Sequence, residues 1–173
     1  IDGFDITRTL GNLAQVEFHL GDIDSAVALL EECMSRDRAV GDVLYLGLHM
    51  TDLALILLVS DRDEGATEFF KSALTIHRDV VHVRMVTVTI EGLAALAGKR
   101  GQPEQAAQLY GATQAMREHA DYPMHDPEQW RYPHYVALAK SQISDETFNA
   151  HWNAGRLLSM DDAIERALAL SFD

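Results

Sequence analysis

Leu13-Ala14-Gln15-Val16-Glu17-Phe18-His19-Leu20-Gly21-Asp22-Ile23-Asp24-Ser25-Ala26-Val27-Ala28-Leu29-Leu30 decides the fold, because its pattern returns after forty residues and again after forty more. Leu13-Ala14 recurs as Leu53-Ala54 and as Leu93-Ala94. Ala26 recurs as Ala66 and Ala106, Leu30 as Phe70 and Tyr110, and Leu10 as Met50 and Ile90. The turn Gly21-Asp22 becomes Asp61-Arg62 and then Gly101-Gln102. Helical amphipathicity alone repeats every ~3.6 residues and does not produce so long a common period without insertions.

Each repeat reads as two helices. The first places apolar residues at Leu10, Leu13, Ala14, Val16 and Phe18 and stops at Gly21. Asp22 or Asp24 caps the second, whose stripe is Ile23, Ala26, Val27, Leu29, Leu30 and Cys33. In the third repeat Pro103 stands at a first helical position, where its missing N–H costs nothing. The small residues Ala14, Ala54, Ala94, Ala26, Ala66 and Ala106 let the two helices of a hairpin approach, and stacked hairpins close the core that one hairpin cannot. The pattern resembles the tetratricopeptide repeat. It departs in its period, forty against about 34. It also has Leu10, Met50 and Ile90 where an early aromatic is usual, and no closing proline.

The expected fold is all-α: a superhelical array of three antiparallel, tetratricopeptide-like hairpins over residues 1–120. Residues 121–173 would add a loop and capping helices within the same structural domain. Asp121 to Tyr132 reads as a connection. Asp126-Pro127-Glu128 is a helix start that Pro133 should bend or delay, and Val136 to Ile143 continues it. Ser144-Asp145-Glu146 caps a helix holding Phe148, Trp152 and Leu157. Ser159-Met160-Asp161-Asp162 starts a last one with Ile164, Leu168 and Leu170 on one face. Tyr122, Trp130, Tyr132 and Tyr135 gather around the prolines and are expected to fold back over the last hairpin.

From Gly92 to Leu168 a second resemblance enters. Its residues are Gly92-Leu93-Ala94-Ala95-Leu96-Ala97, Gly101-Gln102-Pro103-Glu104-Gln105-Ala106-Ala107 and Leu109-Tyr110-Gly111-Ala112, then Phe148, Trp152, Gly155-Arg156, Leu158-Ser159 and Asp162-Ala163-Ile164. The stretch resembles the C-terminal helical-repeat region of large bacterial ATPase-type transcriptional regulators, many of them LuxR-type. The resemblance implies a sensory and interaction module in a parent that carries a nucleotide-binding domain and a DNA-binding domain elsewhere. Neither signature is present here: Gly98-Lys99-Arg100 lacks the leading glycine and the Ser/Thr of a P-loop. The chain does not start with Met and is expected to begin inside a longer protein.

Composition narrows the chemistry. The chain has 14 Lys+Arg against 27 Asp+Glu, a formal charge of -13, which argues against direct contact with nucleic acid. Residues 81–120 carry 4 basic and 3 acidic residues, so the acidity lies outside the third repeat. No apolar run is long enough for a membrane span, no leader is visible, and the expected compartment is the cytoplasm. No cofactor is implied. Cys33 shares a helix register with Ala73 and Thr113, which favours a buried inert thiol over a nucleophile. His77 and His82 stand five apart, the wrong spacing for a helical metal pair.

Three functions stand open. The first is a non-catalytic module binding a protein, a peptide or a small effector in a concave groove. Arg8, Asn12, Gln15, His19, His49, Asp52 and Glu91 are the candidate lining, since fork and amide donors suit a carboxylate or a peptide backbone. The second is a self-association module joining copies of the chain within a signalling ATPase. The third is a metal-dependent enzyme built on His125, Asp126, His134 and Asp121.

Overall fold

The turns carry the period most visibly. Gly21, Asp61 and Gly101 have φ of 87°, 56° and 73°, and Gly41, Val81 and Asp121 have φ of 73°, 53° and 50°. Both sets are spaced by forty residues, and all six lie in the left-handed region that ends helices. The bonds are those of a Schellman turn: Gly21 N–H reaches the Phe18 carbonyl and Asp22 N–H that of Glu17, as Gly41 and Asp42 reach Arg38 and Asp37. Caps then start the next helix at once. Side chains of Asp22, Asp42 and His82 accept the backbone N–H of Ser25, Tyr45 and Met85.

The structure, a computed structural model, describes residues 3–124 and 126–172; of residues 3–5 and 126–128 it describes the backbone only. These described residues form α-helices and no strand. The helices are α1 (Gly3–Leu20), α2 (Ile23–Val40), α3 (Val43–Val59), α4 (Ala66–Asp79), α5 (Val83–Lys99), α6 (Pro103–Ala120), α7 (Asp126–Lys140), α8 (Asp145–Arg156) and α9 (Met160–Leu168). They fall into two compact units, Ile1–Val81 and His82–Asp173. The division therefore lies after the second repeat, whereas the sequence suggested one domain with a change of pattern at residue 120.

In the first unit α1 pairs with α2 and α3 with α4, and α2 packs on α3. The expected small residues Ala14, Ala54, Ala26 and Ala66 are fully buried, as are Leu30 and Phe70. The core gathers Ala14, Ala26, Leu30, Met34, Met50, Leu53, Ile56 and Ala73. Each large side chain buried there contributes about 1.5–3 kcal/mol relative to exposure. Two expected core positions of α1 fail. Leu13 and Val16 are 42% and 52% exposed, while their counterparts Leu53 and Ile56 are 1% and 2% exposed. The reason is positional: α2 covers α3, and α1 is the first helix described. The second repeat also departs in its turn. Residues 62–65 intervene after Asp61, Gly65 takes φ 80°, and α4 has 14 residues where α2 and α6 have 18. The helix gives up its first turn and the register is kept.

In the second unit α5 and α6 form the third hairpin, with Ala94, Ala106 and Tyr110 buried as expected. Helices α7, α8 and α9 pack on it. Helix α7 starts at Asp126, where Asp126-Pro127-Glu128 implied a start, so the connection does not extend to Tyr132. The helix runs through Pro133 without delay and ends at Lys140, short of Ile143. Pro133 is exposed, so its ring faces away from packed neighbours and the helix loses one bond without ending. Ser144 and Ser159 cap α8 and α9 by accepting the N–H of Thr147 and Asp162, as their positions implied. Tyr135 is buried, Tyr132 meets Tyr110 edge-on at 5.2 Å, and Tyr122 lies under the Arg117 guanidinium at 4.9 Å. Trp130 alone of that group stays exposed.

Two glycines make a close helix crossing in this unit. A Cβ on Gly111 of α6 would collide with the backbone of Trp152, and one on Gly155 of α8 with the backbone of Gln108. The two helices therefore touch main chain to main chain. Arg156 of α8 spans to Glu118 of α6 at 3.1 and 2.7 Å, and Arg166 of α9 reaches Gln108 at 3.2 Å.

Candidate functional site

Helical phase sorts the residues of α1. At about 100° per residue, Thr7, Gly11, Ala14 and Phe18 share the side turned to the core. Arg8, Asn12, Gln15 and His19 share a polar side, and Thr9, Leu13, Val16 and Leu20 an apolar one beside it. Burial agrees: Thr7, Gly11 and Ala14 are buried, whereas Arg8, Asn12 and His19 are exposed and Gln15 is half-buried. His19 Nδ1 lies 2.6 Å from the Gln15 carbonyl, one turn back. Four of the proposed groove residues thus stand on one face of one helix. Asp52, half-buried, holds the register of Asn12 on α3.

The other two candidates lie elsewhere. His49 holds the register of Thr9, and it is buried. Its Nδ1 is 2.7 Å from Oδ2 of buried Asp37, and its Nε2 lies where a Cβ on Gly11 would sit 2.8 Å away. Glu91, in the second unit, holds the register of Gly11 and is also buried. Its two oxygens accept from Arg117 Nε at 2.9 Å and Nη2 at 2.7 Å. Both side chains are enclosed and committed to partners within the core, so neither lines an open surface.

These pairs belong to a pattern that the sequence reading missed. Asp37, His77 and Arg117 are spaced by forty residues, and each is buried. Twenty-six residues before them stand Gly11, Thr51 and Glu91. Thr51 Oγ1 lies 3.0 Å from His77 Nε2 and donates to the Gly47 carbonyl at 3.0 Å. Each hairpin thus carries one buried polar group at the same level of its second helix, met by a different residue each time. In the first hairpin the first-helix position is glycine, and His49 fills the space from the next hairpin. Asp37 Oδ1 has no hydrogen-bond partner among the described residues. The signal was available: it was the same forty-residue period, read on polar positions.

Cys33 is buried and its Sγ–H donates to the Thr7 carbonyl at 3.3 Å. Burial, with the nearby Asp37 and Glu32 charges, pushes the thiol up to about 11. A thiol so held is almost wholly protonated near neutrality and is a poor nucleophile. Of the metal reading, His125 lies outside the described residues, and only the backbone of Asp126 is described. Among the described residues no three His, Cys, Asp or Glu side chains group so as to hold an ion. No helix among them is long and apolar enough to cross a membrane.

Residues 5–79 match the tetratricopeptide-repeat family. The match spans α1 to α4, so the first unit is a tetratricopeptide-like domain, and the chain as a whole is an all-α helical-repeat protein. No curated protein and no solved structure matches the chain.

Proposed function

We propose that this chain is a non-catalytic binding module that takes a segment of a partner protein on the polar face of α1, with Arg8, Asn12, Gln15 and His19 as donors and Asp52 beside them. The observation carrying this reading is the tetratricopeptide match over residues 5–79 together with those polar side chains sharing one face. Repeats of this type generally bind proteins. An exposed fork and amides one turn apart suit the carbonyls and carboxylates of an extended peptide. A small anionic effector would use the same donors. The setting we propose is a cytoplasmic bacterial transcription regulator of the ATPase type, supported by the resemblance of residues 92–168. There the ligand acts only through different affinities for two states of the parent.

Site-specific photo-crosslinking tests the face. A photoreactive residue at Asn12 should capture a partner in cells, and Arg8→Ala with Gln15→Ala should remove the adduct while the fold stays intact. Adducts formed equally well from exposed Glu146 would count against α1 as the binding face.

A further inference from the structure

Val81 has φ 53°, and its counterpart one repeat earlier is Gly41 with φ 73°. A side chain branched at Cβ is strained in that region. Burial does not offset the strain, because Val81 is 68% exposed. It does not stand alone: Val40, Val43, Val80 and Leu44 are 54%, 51%, 42% and 37% exposed. The fold brings the five to one end of the first unit. The Gly41-Asp42 turn joins α2 to α3, and a Cβ on Gly47 would meet Ile76 and His77, so the start of α3 lies against the end of α4. Charges beside the valines are largely satisfied. Arg36 is held by Glu32 at 2.9 and 2.6 Å, Arg78 lies 3.6 Å from Asp79, and Asp42 accepts the Tyr45 N–H. Arg38 is the exception. It is exposed, and its guanidinium has no hydrogen bond or ion pair among the described residues.

We propose that Val40, Val43, Leu44, Val80 and Val81 form a docking surface for an apolar segment of a partner protein that carries a carboxylate beside its apolar residues. The valines and Leu44 lose their water against the segment, and Arg38 offers the fork that a carboxylate takes bidentately. Charge sets the choice of occupant: in a chain of charge -13, this apolar end keeps a cation without a counter-charge. A second copy fits less well. Five partly exposed side chains supply well under the ~800 Å² per partner of a standard interface. An anionic membrane surface would be repelled by the net charge. The strain at Val81 then has a use, since glycine would relax the turn and remove the most exposed of the five side chains. Turns and helix ends form this surface, so it does not depend on the polar face of α1.

Selection from a random peptide library tests the proposal. The bait is the full chain carrying Arg8→Ala and Gln15→Ala, so that the α1 face is disabled. Enriched peptides should place Asp or Glu next to apolar residues. Val43→Asp should weaken the best of them by about tenfold or more, and an acid at that first helical position suits the helix, so the fold is kept. Arg38→Glu should turn the selection toward Lys or Arg beside the same apolar residues. Val81→Gly should raise Tm and weaken the peptide together, a combination that a purely structural valine does not give. No enrichment, or a best peptide indifferent to both Val43→Asp and Val81→Gly, overturns the docking surface. A selection unmoved by Arg38→Glu overturns the carboxylate. Two further measurements complete the test. A dimer of the unaltered chain that Val43→Asp dissolves, seen by light scattering, makes the occupant a second copy, and binding to phosphatidylcholine vesicles that Val43→Asp abolishes makes it a lipid surface. Either result overturns the proposal.

Discussion

Arg117 lies bidentate on Glu91 at 2.9 and 2.7 Å, twenty-six residues after it, and the same separation joins His77 to Thr51 and Cys33 to Thr7. The spacing is set by the hairpin: helix, turn and helix bring those two positions opposite each other whatever residues occupy them.

Removing one partner of the enclosed ion pair should be costly. Glu91→Ala leaves a buried guanidinium without its counter-charge, and urea unfolding should show a loss of about 3–5 kcal/mol. The double change Glu91→Met with Arg117→Leu should recover most of that loss. If the single and double variants are equally unstable, the cost is one of shape and not of charge.

Val81 has φ 53° and is branched at Cβ, a combination that costs roughly 1–2 kcal/mol in the left-handed region. Val81→Gly should therefore stabilise the chain by about 0.5–1 kcal/mol, allowing for the freedom glycine gains when unfolded. Asp61→Gly and Asp121→Gly should gain less, since aspartate tolerates this region better. A drop in Tm for Val81→Gly would contradict the assigned backbone.

Glu118 is held down at about 2, chiefly by the hydrogen bonds from Arg156 and secondarily by Gln114. Its carboxylate therefore favours the folded state at all pH values above its ordinary range near 4.5, and that contribution disappears as pH falls through about 2. A carboxyl-resolved NMR titration should place its midpoint near the lower value. Arg156→Ala should move it back up toward the ordinary range, and an unmoved midpoint would show that Arg156 is not the cause.

The crossing of α6 and α8 predicts a contrast among glycines. Gly111→Ala and Gly155→Ala each force a methyl into facing main chain and should cost about 1–3 kcal/mol or more. At Gly98 an added Cβ would meet the Cβ of Ala139 at 3.4 Å, ordinary contact. Gly98→Ala should be neutral or slightly stabilising, because it also raises helix propensity. Thermal melts of the three variants check this.

The repeat could be read from the sequence because it is enforced by geometry that tolerates few residue types. Alanine at 14, 54, 94, 26, 66 and 106 is fixed by close helix approach, and Gly21 and Gly101 by a left-handed turn. The candidate groove lining is less legible, and for the two buried members the misphasing has a measurable size. His49 was placed on the open face one residue beyond Leu48, the true counterpart of Arg8, and Glu91 one residue before Gly92, the counterpart of Asn12. One residue is about 100° of rotation, enough to move a side chain from the surface to the core. The buried polar groups escaped because periodicity was sought in apolar identity, whereas Asp37, His77 and Arg117 share a place and not a chemistry. Leu13 was misjudged for another reason: its burial depends on a neighbouring helix, and no pattern within α1 encodes that.

Hairpins built on one forty-residue pattern share their small-residue registers but not the residues at their buried polar level. With small-residue registers matching every forty residues, a second helix could meet the wrong first helix while the chain is folding and still find its alanines in step. The polar level differs completely. Arg117 set against Gly11 would be a cation enclosed without a carboxylate, and Asp37 set against Glu91 would bury two like charges. The residues at that level thus act as a lock and key for partner choice along the chain. They set the charged pairing of the third hairpin apart from the other two, in addition to differences of shape.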